Sequence, residues 1–279
     1  MANNNILSRK FLNHTGKAIG YLILTIVVFI PIIWVLLTAF KNRVDAYSLR
    51  IFVPLTFDNF SDLFTGRLNF LANIKNTLIV VALSVVIVVP IATMAAYAFS
   101  RYNIIGKKTL LIWVLSTQFI PPVVIVIPFY TLFRTLGLLD SYTALIIVNL
   151  SFTLPFAIWL LKGFMDGLPI QSEEAAFLEG CTTLQTMRYV VLPLAMPGIV
   201  TAATFSMIQA WNEFFFAMIL TQSHATTMTV SLNNIAVGQE GVRWELLAAG
   251  GSLVMLPMFV IAYMIREYFV QGLTMGASK

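Results

Sequence analysis

The most distinctive chemistry-bearing residues of this chain are one acid, two alanines and a glycine at fixed spacing: Glu174, Ala175, Ala176 and Gly180. Alanine is a strong helix former, and glycine suits the left-handed residue that ends a helix. On a short helix, small side chains let a partner's backbone approach closely, and the glutamate supplies one oriented charge. The pattern fits a helix that docks into a groove, and it fits equally a surface helix that docks nothing.

The surrounding segment, Lys162–Arg188, predicts two short helices joined by a tight turn at the glycine. Pro169 suits a first helical position. Thr182 and Gln185 have the spacing of a capping box, which would start the second helix. The four residues of the pattern are therefore expected on the first helix and at its end.

The sequence contains no motif for catalysis or for nucleotide binding. Its nearest approach to a P-loop, Gly106–Thr109, lacks the earlier glycine of the loop whose backbone amides hold phosphates. Cys181 is the single cysteine, and His14 and His224 are far apart in the sequence, so neither an internal disulfide nor a metal site is expected. We predict a non-enzymatic chain that binds no cofactor itself.

The composition suits a lipid bilayer as the solvent of this chain. Hydrophobic residues make up 59% of the 279 residues and charged residues 10%, with a mean hydropathy of +0.87. Soluble domains carry about 25% charged residues. The net charge of +5 comes from Lys and Arg scattered between apolar runs, whereas nucleic acid binding needs them clustered. We interpret these residues as flanking charges of membrane helices and expect no nucleic acid partner.

Six runs without Asp, Glu, Lys or Arg have the length of about 20 residues that a helix needs to cross a bilayer. They are residues 18–40, 76–100, 109–133, 141–161, 189–212 and 246–265. The predicted fold class is all-α, a polytopic membrane protein with six transmembrane helices. The predicted organisation is an N-terminal segment at 1–17, a membrane domain at 18–265 that includes the loop 162–188, and a C-terminal tail at 266–279.

The basic residues favour a location of both termini in the cytoplasm. Ten Lys and Arg residues lie on the side of the termini and seven on the other side, and cytoplasmic loops carry the excess of positive charge. The loop 162–188 would then be cytoplasmic. The first run is too long for the apolar part of a signal peptide, so we expect it to be retained. Residues 214–238 are interpreted as the end of the fifth helix followed by a loop outside the membrane.

Three polar side chains are candidates for a solute path, because polar groups at membrane depth are costly and tend to face a cavity or another helix. Gln209 and Asn212 are three residues apart and share one helix face. Gln118 precedes Pro121-Pro122, where we expect the third helix to be distorted. The alternative role of each side chain is a hydrogen bond between helices.

The longest fixed spacing of the chain resembles the signature of bacterial binding-protein-dependent ABC importer permeases, E-A-A-x3-G-x9-I-x-L-P. Here it is Glu174-Ala175-Ala176, Gly180 and Val190 to Pro193, with Val190 in place of isoleucine. The Trp-Asn-Glu element at 211–213 and the tail Gly-Leu-Thr-Met-Gly-Ala at 272–277 resemble one branch, the smaller six-span subunit of maltose-type carbohydrate importers.

This resemblance implies a type I ABC importer permease in the bacterial cytoplasmic (inner) membrane. Its partners would be a second permease subunit, expected to be a different chain, two cytoplasmic ATPase subunits that hold ATP and Mg, and an extracytoplasmic solute-binding protein. The substrate would be a sugar, oligosaccharide or polyol that crosses the membrane by alternating access. By the same resemblance, Glu174, Ala175, Ala176 and Gly180 would couple the ATPase to the spans, and the tail Gln271–Lys279 would reach that interface.

Two other classes of membrane protein remain as alternatives. A self-sufficient secondary transporter would need a charge within the membrane for ion coupling, and the six runs contain none. An assembly protein without a substrate would not need the long signature of the loop 162–188.

Overall fold

The computed structural model describes residues 2–65, 69–238 and 241–277, with side chains described from Lys17 to Ile265 within these ranges. Over these ranges the chain is helical and contains no strand. Within these ranges five helices are long and apolar enough to span a membrane, and the number is six when a pair of helices bent by 92° is counted as one span. The predicted all-α class is confirmed, and the six predicted spans agree with this number.

The helices have the following bounds in chain order. They are α1 Ala2–Ala39, α2 Arg43–Ala46, α3 Asp58–Thr65, α4 Phe70–Arg101, α5 Lys107–Ser116, α6 Pro122–Thr135, α7 Tyr142–Asp166, α8 Ile170–Leu178, α9 Thr183–Thr186, α10 Leu192–Trp211, α11 Phe215–Leu220, α12 Met228–Ala236 and α13 Trp244–Ala277. A 3-10 turn, Thr117–Phe119, follows α5, and a π-helical segment, Met187–Val191, precedes α10.

The described residues form two compact units. The first contains α1 to α3 and residues of 234–255, and the second contains residues of 69–233 and the rest of α13. The long helices extend beyond the predicted apolar runs, since α4 begins at Phe70 and α7 continues to Asp166. Residues 214–238, interpreted above as a helix end and a loop, contain two further short helices, α11 and α12.

The third span is broken where the two prolines predict a distortion. α5 passes into the 3-10 turn, and α6 begins at Pro122 after a bend of 92°. Proline has no N–H to continue the hydrogen bonding of the preceding helix, while at the first position of a new helix the missing N–H costs nothing. The sequence and the structure agree on this break.

The core of the second unit lies between α4, α7 and α10. Its buried side chains recur every four residues on α4 and α7, which places them on one face of each helix. They include Val88, Ala92 and Ala96 of α4, Ala157, Leu161 and Met165 of α7, and Ala195 and Ala202 of α10. α7 and α10 approach closely at Gly198, where an added Cβ would lie 2.5 Å from the Cγ of Phe164.

The first unit fixes the end of α1 around a buried lysine. The Lys41 ammonium lies 4.3 Å from the centre of the Trp34 ring and donates to the carbonyl oxygen of Arg50 at 2.7 Å. The Asn59 amide donates to the carbonyl oxygens of Ala39 and Lys41 at 2.8 and 2.7 Å. These bonds satisfy acceptors that a helix end leaves without a partner, so α1 ends in a defined turn.

Candidate functional site

The segment between α7 and α10 contains the helix, turn and second helix that the sequence predicts. α8 runs over Ile170–Leu178 with Pro169 at the position before its first residue. The hydroxyl oxygen of Thr182 accepts from the Gln185 N–H at 3.4 Å, and the Gln185 side-chain oxygen accepts from the Thr182 N–H at 2.8 Å. The predicted capping box at the start of α9 is therefore confirmed.

Gly180 ends α8 in the left-handed conformation that its residue type predicts. Its φ is +87°, a region that residues with a Cβ rarely adopt. The Cys181 N–H donates to the Ala176 carbonyl oxygen and the Gly180 N–H donates to the Phe177 carbonyl oxygen, both at 3.0 Å. These are the two bonds of a Schellman motif. A Cβ added at Gly180 would meet no atom within 4 Å, so backbone conformation alone requires glycine here.

α8 has one buried face and one exposed face. Glu173 and Ala176 are buried, whereas Glu174 and Ala175 are exposed. The last residue of the helix, Leu178, is 90% exposed. The exposed face of α8 is therefore accessible to a partner, and Ala176 packs the helix onto its own unit.

Beneath α8 lies an ion pair between Glu173 and Arg101, the last residue of α4. The Arg101 Nε donates to one carboxylate oxygen of Glu173 at 2.7 Å. The Glu173 side chain is 5% exposed and the Arg101 side chain is 12% exposed. The Tyr97 hydroxyl donates to the other carboxylate oxygen at 3.0 Å. Arg101 also donates to the carbonyl oxygen of Leu168 at 3.3 Å. Charged hydrogen bonds thus fasten α8 to the end of α4.

The sequence alone does not identify Arg101 or Glu173 as site residues. Arg101 closes an apolar run and Glu173 begins a helix, so each had a local explanation, and no motif links two residues 72 positions apart. The available signal was the doubled acid Glu173-Glu174. Neighbouring residues of a helix point about 100° apart, so the two acids of an amphipathic helix cannot both face outward to the same degree.

The three candidate residues of a solute path have different surroundings. Gln118 lies in the 3-10 turn and donates to the carbonyl oxygen of Phe152 on α7 at 2.9 Å. This hydrogen bond matches the alternative to a solute path, a bond between helices. Gln209 and Asn212 are exposed on the same face at the end of α10. Asn212 donates to the carbonyl oxygen of Ile208 in its own helix at 2.8 Å. The predicted tail contact Gln271–Lys279 lies outside the described side chains.

Before α7, Asp140 organises the loop that follows α11. Its carboxylate accepts hydrogen bonds from four consecutive backbone N–H groups, those of 222–225, at 2.9–3.1 Å. Burial raises the pKa of Asp140, but the four backbone hydrogen bonds together have the larger effect and lower the pKa to about 2. Its φ of +55° lies in the left-handed region that Asp and Asn tolerate.

Replacing Asp140 with asparagine is expected to destabilise the protein by about 1–2 kcal/mol at pH 7, because the amide has one acceptor oxygen for four N–H donors. Asparagine tolerates the same backbone conformation, so the substitution tests the carboxylate alone. The lowered pKa of the folded state means that the carboxylate stabilises the fold above about pH 4 and loses this effect as the pH falls toward 2.

Thermal unfolding of the detergent-purified protein between pH 7 and pH 3 measures this effect. The difference in unfolding midpoint between wild type and Asp140→Asn should shrink as the pH falls below 4. Asp58→Asn, a change at the exposed start of α3, is the control and should leave the midpoint within about one degree. Equal midpoints for wild type and Asp140→Asn at pH 7 would contradict the role of this carboxylate.

Known proteins resemble the chain over most of its length. Residues 88–275 match the family described as binding-protein-dependent transport system inner membrane component. A probable ABC transporter permease of Sinorhizobium fredii is 38% identical over 262 residues, which cover 92% of each chain. The trehalose transport system permease protein SugB of Mycobacterium tuberculosis is 32% identical over 265 residues, which cover 94% of each chain.

A similar fold occurs among solved structures. A crystal structure of a bacterial ABC transporter involved in the import of the acidic polysaccharide alginate contains a chain that matches with a TM-score of 0.77. The match covers 91% of the present chain and 95% of that chain, at 23% sequence identity. At this identity the likeness concerns the fold.

Proposed function

Because the chain belongs to the family of binding-protein-dependent transport system inner membrane components, we propose that it is a permease subunit of an ATP-driven importer that carries a carbohydrate into the cell. The observation that carries the proposal is the form of α8. This helix is packed on one face, and it exposes Glu174, Ala175 and Leu178 on the other. In the family the chain's role is that of a membrane subunit, and ATP hydrolysis belongs to a separate subunit.

A carbohydrate is the substrate class that the relatives support. The SugB relative, 32% identical over 94% of the chain, is a trehalose permease. A trehalose/maltose permease of Thermococcus litoralis is 29% identical over 264 residues. The substrate of this chain is accordingly a sugar, an oligosaccharide or a polyol.

The complete importer contains a second permease, two ATPase subunits and an extracytoplasmic solute-binding protein. The family's description as binding-protein-dependent supports the last of these partners. The exposed apolar side chains of α1 suit a neighbour within the membrane, either lipid or the second permease. ATP and Mg bind to the ATPase subunits, and this chain transmits the closure of the ATPase dimer to its membrane spans.

The exposed face of α8 lies in the cytoplasm, where the ATPase subunits are. The excess of basic residues on the side of the termini supports this orientation. Closure of the ATPase dimer displaces α8, and the movement reaches the spans on either side of it. On one side α8 is bonded to the end of α4, and on the other α9 passes through the π-helical segment into α10. Nucleotide binding thereby shifts the population from the inward-open to the outward-open state.

Gln209 and Asn212 are the residues of this chain that we place on the solute path. Both are exposed on one face at the end of α10, whereas Gln118 is half-buried and its amide donates to the carbonyl oxygen of Phe152 on another helix. Amide side chains pair with sugar hydroxyls, which both donate and accept hydrogen bonds. Gln118 holds the bend of the third span in place.

The proposed coupling is tested by Glu174→Lys in the complete importer. Reversal of an oriented charge at an interface weakens binding strongly, so we expect at least a tenfold loss of co-purifying ATPase, equivalent to about 1.4 kcal/mol. Solute-stimulated ATP hydrolysis should fall in parallel, while the amount of inserted permease stays unchanged. A panel of disaccharides, oligosaccharides and polyols in the same assay identifies the substrate.

Asp58→Lys is the matched control, because it makes the same charge change at an exposed position in a loop assigned to the opposite side of the membrane. It should leave both ATPase association and hydrolysis near the wild-type level. Normal association and hydrolysis in Glu174→Lys would reject the coupling role of α8. Uptake by the purified permease alone, without ATP, would reject the ATP-driven importer itself.

A further inference from the structure

The two adjacent acids of α8 face different partners. Glu174 is exposed and available to another subunit, while Glu173 is buried and bonded within its own unit. Both carboxylate oxygens of Glu173 are engaged, one by the Arg101 Nε at 2.7 Å and the other by the Tyr97 hydroxyl at 3.0 Å. α8 is therefore held on its inner side, through the Glu173 side chain, by directed bonds from α4.

The ion pair resists separation because it is buried. Exposed pairs contribute little, since water and salt screen them, and the pair of Lys162 with Asp166 on α7 is of this more exposed kind. A buried pair is costly to break, because each charge loses its partner without gaining water. When α8 moves, moving Arg101 with it costs less than separating the two charges.

A second set of bonds joins the end of α4 to the end of α7. The Ser100 hydroxyl donates to the Asp166 carboxylate at 2.7 Å, and Arg101 donates to the Ser100 oxygen at 3.0 Å. Arg101 also holds the carbonyl oxygen of Leu168, just before α8. The guanidinium thus contacts three segments: its own helix, the turn after α7, and α8. This is the fork geometry that an arginine supplies and a lysine does not.

We propose that Arg101 and Glu173, supported by Tyr97, are positioning residues that transfer the displacement of α8 to α4. The inference rests on the proposed function, since it assigns a path within this chain to the coupling described above. α4 is the recipient because its inner face, which includes Val88, Ala92 and Ala96, forms the buried core with α7 and α10. Displacement of Arg101, the last residue of α4, therefore moves a helix that is packed against α7 and α10.

The test uses the assembled importer in proteoliposomes, with two single variants, Glu173→Gln and Arg101→Met. Three quantities are measured for each: co-purifying ATPase, the rate of ATP hydrolysis, and the number of solute molecules transported per ATP. We expect ATPase association within about twofold of wild type, because the exposed face of α8 is unchanged. Hydrolysis should continue, while solute transported per ATP falls at least tenfold. Lys162→Gln, which removes the more exposed pair, should retain the wild-type ratio.

The double variant Arg101→Met/Glu173→Leu separates transmission from mere stability. Apolar replacements of a buried ion pair are often neutral for folding, so this variant should insert and associate even if a single variant does not. We expect its ratio of solute to ATP to remain low, since the directed bonds are gone. A ratio equal to wild type in the double variant, or in either single variant that assembles, overturns the proposal.

These outcomes are distinct from a failure of the proposed function. If the wild-type complex shows neither solute-stimulated hydrolysis nor uptake of any carbohydrate, the importer assignment fails whatever the variants do. If the wild-type complex transports and the variants transport equally well per ATP, only the assignment of Arg101 and Glu173 fails.

Discussion

Replacing Gly198 with alanine should lower the thermal unfolding midpoint by about 4–8 °C, the shift expected from about 2 kcal/mol of overpacking in a chain of this size. The added Cβ would lie 2.5 Å from the Cγ and 2.9 Å from the Cβ of Phe164. Rotation of the phenylalanine ring cannot relieve the contact with its own Cβ, which is bonded to the backbone of α7. The two helices must therefore separate, and the buried cluster that includes Ala157 and Ala195 packs less tightly.

Gly163→Ala is the matched control for Gly198→Ala. Gly163 is also a helical glycine, on α7 next to Phe164, but an added Cβ there meets no atom within 4 Å. Its replacement should stabilise the protein by about 0.5–1 kcal/mol, because alanine is the better helix former. The double variant Gly198→Ala/Phe164→Ala should be more stable than the sum of the single effects predicts, as expected for two residues in direct contact. An unfolding midpoint of Gly198→Ala at or above the wild-type value would contradict the close approach of α7 and α10.

The parts of the fold that the sequence predicted are those with a local cause. The end of α8 at Gly180, the capping box of Thr182 and Gln185, and the break at Pro121-Pro122 each depend on residues within one or two turns of helix. Apolar runs predicted the spans because the bilayer sets their length. Their ends were less predictable, since a helix continues into water for as long as its own hydrogen bonds are made.

The parts that the sequence did not predict depend on partners far away in the chain. Arg101 reaches Glu173, and the Asp140 carboxylate gathers four N–H groups more than 80 residues away. α11 was missed although its cause is local. It lies in an apolar stretch, and it starts because the Glu213 carboxylate accepts from the N–H groups of Phe216 and Ala217 at 2.7 and 3.0 Å.

The sequence did not predict which residues of the candidate site lie on the exposed side of α8 and which lie on its buried side. Sequence spacing grouped Glu174, Ala175, Ala176 and Gly180 as one motif. The structure divides them by position, since the first two are exposed, Ala176 is buried and Gly180 sets the turn. Small side chains thus serve two surfaces of one helix, an outer surface suited to a partner and an inner surface that packs against its own unit.

Replacing Gly180 with valine should reduce solute-stimulated ATP hydrolysis about 5–30-fold in the assembled importer while leaving the yield of inserted protein unchanged. The Cβ that the substitution adds meets no atom within 4 Å. Its cost is the left-handed φ of +87°, about 1–2 kcal/mol for an ordinary residue and at the upper end for a β-branched one. That free energy favours opening of the turn, which frees the end of α8 and displaces its exposed face.

Gly180→Asn separates conformation from the loss of glycine as such, because asparagine tolerates the left-handed region better than other residues with a Cβ. We expect its hydrolysis rate to lie between those of wild type and Gly180→Val. Gly137→Val is the positional control, since Gly137 has a similar φ of +67° and equally open surroundings, but lies between α6 and α7. It should lower the unfolding midpoint without reducing the stimulation by solute. If Gly180→Val and Gly137→Val reduce stimulation equally, the effect is one of general stability, and the turn at the end of α8 has no particular part in coupling.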